Sequence, residues 1–95
     1  MTIEKIINGD SAVIRPEGWL DTQTSPELGK VMDELGSDVK NIELDFAKLE
    51  YISSSGLRQV VAINKKFESL VITNVSPEIM DIFNMTGFSK RLNIK

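Results

Sequence analysis

Three consecutive serines are the residues of this chain whose type and spacing most suggest chemistry. Ser53, Ser54 and Ser55 stand between an apolar segment that ends at Ile52 and a segment with helical spacing that begins after Gly56. In an open α/β sheet, ligands and partners bind in the crevice at the carboxyl ends of the strands. Because a turn from a strand into a helix lies at that edge, the three hydroxyls require an explanation.

Two interpretations of the serines need no catalytic residue in this chain. In the structural one, a hydroxyl caps the exposed N–H groups of the following helix and the others satisfy a turn. In the functional one, a serine accepts a phosphoryl group from a kinase. The fold tolerates a phosphate at a helix N-terminus because free N–H groups and the helix dipole favour it.

Two further interpretations lack the residues that they require. A nucleophilic serine needs a base, and the segment Ser54-Ser55-Gly56 does not have the spacing of the G-x-S-x-G elbow. A lysine such as Lys48 or Lys65 could act as the base, but nothing in the sequence places one beside the serines. A phosphate cradle needs the GxxxxGK[ST] pattern, which is missing.

Composition narrows the class of protein. The 95 residues include no cysteine and no histidine, which excludes disulfides, thiol nucleophiles, thiolate metal sites and a Ser-His triad. Carboxylate-only sites for magnesium or calcium are compatible with the count. We expect a protein that is not an enzyme, with no catalytic residue, no metal site and no cofactor.

Charge and hydropathy indicate where the chain acts. Fourteen acidic and eleven basic residues give a net charge of -3, which argues against direct nucleic-acid binding. No apolar run approaches the roughly 20 residues that span a bilayer, and the start MTIEKIINGD lacks the regions of a secretory signal. We expect a cytoplasmic protein without membrane insertion.

Residue patterning predicts one small α/β domain over residues 1–95. Asn8-Gly9 between two apolar runs predicts a hairpin of strands at Ile3–Asn8 and Ala12–Arg15. Pro16 is expected to end the second strand or to place it at an edge of the sheet. Caps and helical spacing predict three helices. They are Ser25 (N-cap) to Gly36 (C′), Ser54 or Ser55 to Lys66, and Ser76 (N-cap) to Gly87.

Two more strands separate the helices. Asn41–Phe46 alternates apolar residues with the carboxylates Glu43 and Asp45, so helices are expected mainly on one face of the sheet. Leu70–Thr73 is the other strand, and the tail Arg91–Lys95 is expected to add a last short one. The order β-β-α-β-α-β-α predicts a small mixed sheet, an N-terminal hairpin joined to parallel β-α units.

The sequence resembles a STAS domain, the family of bacterial anti-sigma factor antagonists, from about Ile3 to Leu92. The segment GWLDTQT at 18–24 is similar to the family's G-x-L/I-D-x-x-T/S loop. Residues 44–57 contain segments similar to its strand, its linker and its D-S-S/A-G-L signature. Residues 75–88 resemble its third helix and closing turn.

The resemblance implies a phosphorylation switch. It places the phosphoacceptor at Ser54, with Ser53 and Ser55 as alternatives because Ser53 replaces the family's usual Asp. The implied partner is an anti-sigma factor that is also a serine kinase. The unphosphorylated antagonist binds that kinase, phosphorylation breaks the pairing, and a serine phosphatase reverses it. An alternative within the family is an accessory subunit of a lipid-transport ABC system that binds its ATPase subunit.

Further residues have both a structural and a functional interpretation. Asp21 and Thr24 tie down a loop and cap a helix, or they join the partner contact. Arg58 is a solvated residue or faces the partner. Trp19 is expected to be a partly buried anchor, whereas an exposed indole would indicate an interface. The methionines expected to pack in the core or loops are Met32, Met80 and Met85. The partner-binding residues implied by the resemblance are Asp21, Thr24, Ser53, Ser55, Gly56 and Arg58.

Overall fold

A computed structural model describes all 95 residues of the chain. Five strands, three α-helices and a closing 3₁₀ turn follow one another along it. They are β1 (Thr2–Asn8), β2 (Ser11–Leu20), α1 (Ser25–Asp33), β3 (Asn41–Asp45), β4 (Leu49–Ile52), α2 (Ser54–Lys66), β5 (Ser69–Thr73), α3 (Pro77–Thr86) and the 3₁₀ turn (Phe88–Lys90).

One long strand organises the sheet. β2 pairs antiparallel with β1 and, on its other side, parallel first with β3 and then with β4. β5 pairs parallel with β3, so the order is β1-β2-β3-β5, with β4 beside the carboxyl half of β2. The mixed sheet and the N-terminal hairpin that the sequence predicts are therefore confirmed.

Both expectations for Pro16 are wrong, because β2 continues past it to Leu20 and is a central strand with β1 on one side and β3 and β4 on the other. Pairing with β3 ends at Ile14 and pairing with β4 begins at Gly18. Pro16 thus lies in an interval where β2 has no parallel partner, and a proline is tolerated there. Gly18 has a φ of +99°, and the register with β4 shifts between Gly18 and Trp19.

The core fills the space between one face of the sheet and the helices. Buried residues of the sheet include Ile14 and Leu44. Leu28 of α1 and Val60 of α2 are also buried. Alternation along the strands leaves charged and polar residues on the other face, as the sequence predicts. Asp45 lies on that face but is buried, with only 5% of the residue exposed.

Two predicted helix ends are wrong. Ser25 is the first residue of α1 and not its N-cap, which is Thr24. The Ser25 hydroxyl instead donates to the carbonyl oxygen of Asp21 over 2.6 Å. α1 ends with Glu34 as its C-cap, so Gly36 lies beyond the helix.

The remaining helix ends follow the sequence closely. α2 runs from Ser54 to Lys66, and α3 has Ser76 as its N-cap and the left-handed Gly87 as its C-cap. The expected last strand is reduced to one bridge, between Ile72 and Ile94. Among the methionines, Met32 is buried and Met80 is half-buried, but Met85 is 86% exposed, so its packing role was wrongly predicted.

Candidate functional site

The serine turn and the Gly18–Thr24 loop leave the sheet at the same edge. β2 ends at Leu20 and its parallel partner β4 ends at Ile52, and these two residues are paired. The N–H of Ser53 donates to the carbonyl oxygen of Leu20 over 2.9 Å, which extends the ladder into the turn. The two segments singled out from the sequence thus meet at the carboxyl ends of adjacent strands.

The three serine hydroxyls have different surroundings. Ser53 is the N-cap of α2, and its Oγ accepts from the N–H of Gly56 over 3.3 Å. The Oγ atoms of Ser55 and Thr22 lie 3.0 Å apart. Ser54 is exposed as the first residue of α2, and its hydroxyl makes no hydrogen bond to another residue. The capping role therefore belongs to Ser53, and Ser54 keeps a free hydroxyl.

Arg58 lies one turn along α2 from the serines. Its Nη2 donates to the Oγ of Ser55 over 3.3 Å, and the side chain is exposed. Ser54 and Arg58 are four residues apart, a spacing that makes side chains neighbours on a helix surface. A cation therefore stands beside the free hydroxyl, although its direct partner is Ser55.

Gly56 is buried beneath the turn and does not reach its surface. A Cβ at this position would lie 2.7 Å from Cγ1 of Ile52 and 2.7 Å from the carbonyl oxygen of Leu20. Both distances are shorter than real Cβ contacts. The glycine lets α2 start in direct contact with the ends of β2 and β4, so it positions the serines.

Hydrogen bonds within the segment brace the Gly18–Thr24 loop. Oδ1 of Asp21 accepts from the N–H groups of Gln23 and Thr24 over 3.0 and 3.1 Å. The backbone hydrogen bond from Thr24 is the main reason that the pKa of Asp21 lies below its ordinary value. The Thr24 hydroxyl in turn donates to the carbonyl oxygen of Trp19 over 2.6 Å. These bonds confirm that Asp21 and Thr24 tie down the loop, but the expected side-chain cap of α1 is absent, because the Thr24 hydroxyl accepts from no N–H group of the helix. Asp21 remains a carboxylate next to the turn.

An exposed aromatic pair borders the site. Trp19 is 58% exposed and Tyr51 is 42% exposed, and their ring centroids are 5.2 Å apart. The two residues are opposite each other in the β2–β4 ladder. The expected partial burial of Trp19 is therefore wrong. Its indole is exposed, which is the case that indicates an interface. Tyr51 was missed as a candidate because β4 was not predicted.

The structure gives two more facts about the types of site. Nowhere do three His, Cys, Asp or Glu side chains gather in a way that could hold a metal ion. None of the helices combines the length and the apolar character that a bilayer span requires.

Comparison with known proteins identifies the family. The STAS domain family model matches residues 2–95. The anti-sigma-B factor antagonist of Staphylococcus epidermidis is 28% identical over 99 aligned positions, which cover 99% of this chain and 92% of that protein.

Two solved structures resemble this one in fold. An anti-sigma factor antagonist from Mycobacterium paratuberculosis gives a TM-score of 0.86 at 20% identity, covering 98% of this chain and 83% of that one. The Bacillus cell fate determinant SpoIIAA in its phosphorylated form gives a TM-score of 0.66 at 20% identity, covering 99% of this chain and 91% of that one.

These matches agree with the architecture described above. The structural matches confirm the expected fold, and the family and its curated relatives point to a regulator that is not an enzyme. The chain belongs to the STAS domain family.

Proposed function

We propose that this chain is an anti-sigma factor antagonist controlled by phosphorylation of Ser54. In its unphosphorylated form it binds an anti-sigma factor that is also a serine kinase. Phosphorylation releases that partner, and a serine phosphatase restores binding. The observation that carries the proposal is the free, exposed hydroxyl of Ser54 at the start of α2.

The surroundings of Ser54 suit a phosphoacceptor better than those of its neighbours. The Ser53 hydroxyl accepts from Gly56 as a cap, and the Ser55 hydroxyl contacts Thr22 and Arg58. A kinase would have to break these contacts to reach either one. Ser54 requires no such rearrangement, and the N–H groups and dipole at the helix start favour an added phosphate.

Charge explains how a phosphate would end binding. It adds about -1.5 to -2 charges at pH 7 to a chain whose net charge is -3. At a contact surface this added charge acts through repulsion and desolvation. A change of about 1.4 kcal/mol already lowers affinity tenfold. A single modified serine is therefore sufficient for a switch.

The surface proposed for partner binding is formed by the Gly18–Thr24 loop, the serine turn 53–56 and the exposed face of α2. Exposed aromatic side chains supply large contact area to interfaces, and the pair Trp19–Tyr51 lies on this surface. The curated relatives from Staphylococcus epidermidis and Staphylococcus aureus are named as anti-sigma-B factor antagonists, which supports the class of partner. The phosphorylated form of SpoIIAA, which shares the fold, supports the switch.

A capture experiment tests the proposed function. The full chain is immobilised and exposed to lysate of the source bacterium with and without ATP, and bound proteins and phosphosites are identified by mass spectrometry. We expect an anti-sigma kinase without ATP, its loss with ATP, and phosphate on Ser54. Ser54→Ala should retain the kinase under both conditions.

Other results would contradict the proposal. Capture of a transporter ATPase subunit in place of a kinase would favour the accessory-subunit alternative. Capture of a kinase that ATP does not release would contradict the switch, and phosphate on Ser53 or Ser55 alone would contradict the assigned acceptor.

A further inference from the structure

A groove with a basic rim runs beside α2, on the side of the closing 3₁₀ turn. Its volume is about 400 Å³, and its lining residues are Arg58, Val61, Ala62, Lys65, Phe88 and Arg91. The four residues from α2 follow the spacing i, i+3, i+4 and i+7, so they form one continuous helix face. We call this feature the basic groove.

The basic groove has an unbalanced charge. Its charged residues are Arg58, Lys65 and Arg91, all exposed, and no acidic residue lines it. None of the three forms an ion pair within the chain, whose ion pairs involve Arg15, Lys66 and the N-terminus. In a chain with 14 acidic residues, three unpaired cations around one groove make a surface complementary to negative charge.

The shape of the groove indicates what kind of anion fits. Its floor contains the half-buried Val61 and Phe88, and the Arg91 guanidinium lies 5.6 Å from the Phe88 ring centroid. Arg58 and Lys65 are seven residues apart, which is about 10 Å along the helix axis. Cations spread over this distance suit a row of carboxylates better than one phosphate. An apolar floor suits one apolar side chain between those carboxylates.

We infer that the basic groove binds an acidic segment with an apolar anchor, contributed by the anti-sigma factor partner. This inference rests on the proposed function for the identity of the partner. It adds a second contact beyond the Ser54 turn, at the far end of the same helix face. Partner affinity then depends on Lys65 and Arg91 as well as on the surface around Ser54.

The groove also connects to the proposed switch through Arg58. This residue belongs both to the groove and, through its hydrogen bond to Ser55, to the serine turn. A phosphate on Ser54 would lie four residues before Arg58, where the two side chains can pair. The phosphate therefore competes with the acidic segment for Arg58 and repels the segment's own carboxylates.

The test uses defined peptides and the full chain. One 12-residue peptide carries a single leucine flanked by Glu and Asp, and a matched peptide carries Gln in place of each acid. Each is titrated into ¹⁵N-labelled protein at low salt, and backbone amide shifts are followed. For the acidic peptide we expect saturable amide shifts that cluster at the basic groove. Lys65→Glu and Arg91→Glu should each bind it at least fivefold more weakly. Binding should be lost as the salt concentration rises.

Lys5→Glu is the matched control, because Lys5 is an exposed lysine on β1, at the other edge of the sheet from β5. It should bind the acidic peptide as the wild type does. The inference is overturned if the acidic peptide does not bind, if both peptides bind alike, if the shifts do not cluster at the groove, or if Lys5→Glu weakens binding as much as Lys65→Glu.

A second arm separates this inference from the proposed function. The captured kinase is titrated with wild type, Lys65→Glu and Ser54→Asp. If only Ser54→Asp weakens binding, the switch stands and the groove inference is wrong. If the groove binds the acidic peptide as described but ATP leads to no phosphate on Ser54, the proposed function fails while the groove remains an acidic-peptide site.

Discussion

Gly56 approaches Leu20 so closely that a Cβ on Gly56 would lie 2.7 Å from the Leu20 carbonyl oxygen. That oxygen belongs to the backbone at the end of β2, and it also accepts from the N–H of Ser53. It cannot move aside as a side chain could. The absence of a side chain at position 56 therefore fixes the start of α2, and with it the serine turn, against the sheet.

We expect Gly56→Ala to lower the free energy of unfolding by about 1–3 kcal/mol, the usual cost of overpacking. Gly29→Ala is the matched control, because its Cβ would meet only the terminal amide of the flexible Gln59 side chain, with Nε2 nearest at 2.9 Å. Replacing a glycine by alanine inside a helix can also raise the free energy of unfolding, by up to about 1 kcal/mol. Urea unfolding measures both variants, and equal losses would contradict this role of Gly56.

The serine turn should show a division between structure and function. Ser53→Ala removes the N-cap of α2, and loss of such a cap costs about 0.5–2 kcal/mol. Ser54→Ala should stay within about 0.5 kcal/mol of the wild type, as most exposed substitutions do. Thermal unfolding of the two variants tests this. If Ser54→Ala loses more stability than Ser53→Ala, then Ser54 and not Ser53 caps α2.

Asp45 should make stability depend on pH. Burial of its carboxyl group acts to raise its pKa, but hydrogen bonds from Asn74, from the Ala47 N–H and from Arg15 outweigh burial and lower the pKa. A carboxyl group with a lowered pKa in the folded state stabilises above its unfolded pKa of about 3.9. That contribution is lost as pH falls through the folded pKa.

We therefore expect Asp45→Asn to be less stable than the wild type at pH 7 by about 1.5–3 kcal/mol, the range for hydrogen bonds to charged groups. The difference should narrow below about pH 4. Asp33→Asn is the control, since the Asp33–Lys66 pair is exposed and such pairs contribute under about 1 kcal/mol. Urea unfolding from pH 7 to 2.5 checks this. A difference in stability between Asp45→Asn and the wild type that is the same at all pH values would rule out the stabilising role of the Asp45 carboxylate.

Trp19→Ala should weaken binding of the captured kinase about tenfold or more while changing stability little. The indole is 58% exposed, so it can bury further area on a partner. Ile7→Ala is the control, because Ile7 is 51% exposed but pairs with Ala12 at the opposite end of β2. Titration calorimetry with the kinase compares the variants. Equal affinities would remove the aromatic pair from the proposed surface.

Local signals in the sequence predict most of the elements correctly. The hairpin forms where Asn8-Gly9 predicts it, although its two turn residues are Gly9 and Asp10, and only Gly9 has a positive φ. Ser76 caps α3, and Gly87 ends it with a φ of +79°. These predictions succeed because each depends on the conformational preference of one or two residues, which the rest of the fold does not override.

The parts that sequence patterning misses depend on contacts between distant segments. β4 has only four residues and does not alternate in burial, and it forms because β2 extends far enough to pair with it. Asp45 is buried because Arg15 and Asn74 reach it from other segments. The exposure of Trp19 likewise follows from the β2–β4 pairing, so the aromatic pair could not be recognised from spacing alone.

The proposed switch depends on phosphorylation of Ser54 as the event that releases the partner. The most direct measurement is the Kd of the captured kinase for unphosphorylated protein, for protein phosphorylated by that kinase, and for Ser54→Ala after the same ATP treatment. We expect phosphorylation to raise the Kd at least tenfold and the treated Ser54→Ala to keep the unphosphorylated value. An unchanged Kd for the phosphorylated protein, or an equal rise for Ser54→Ala, would show that phosphorylation of Ser54 does not release the partner.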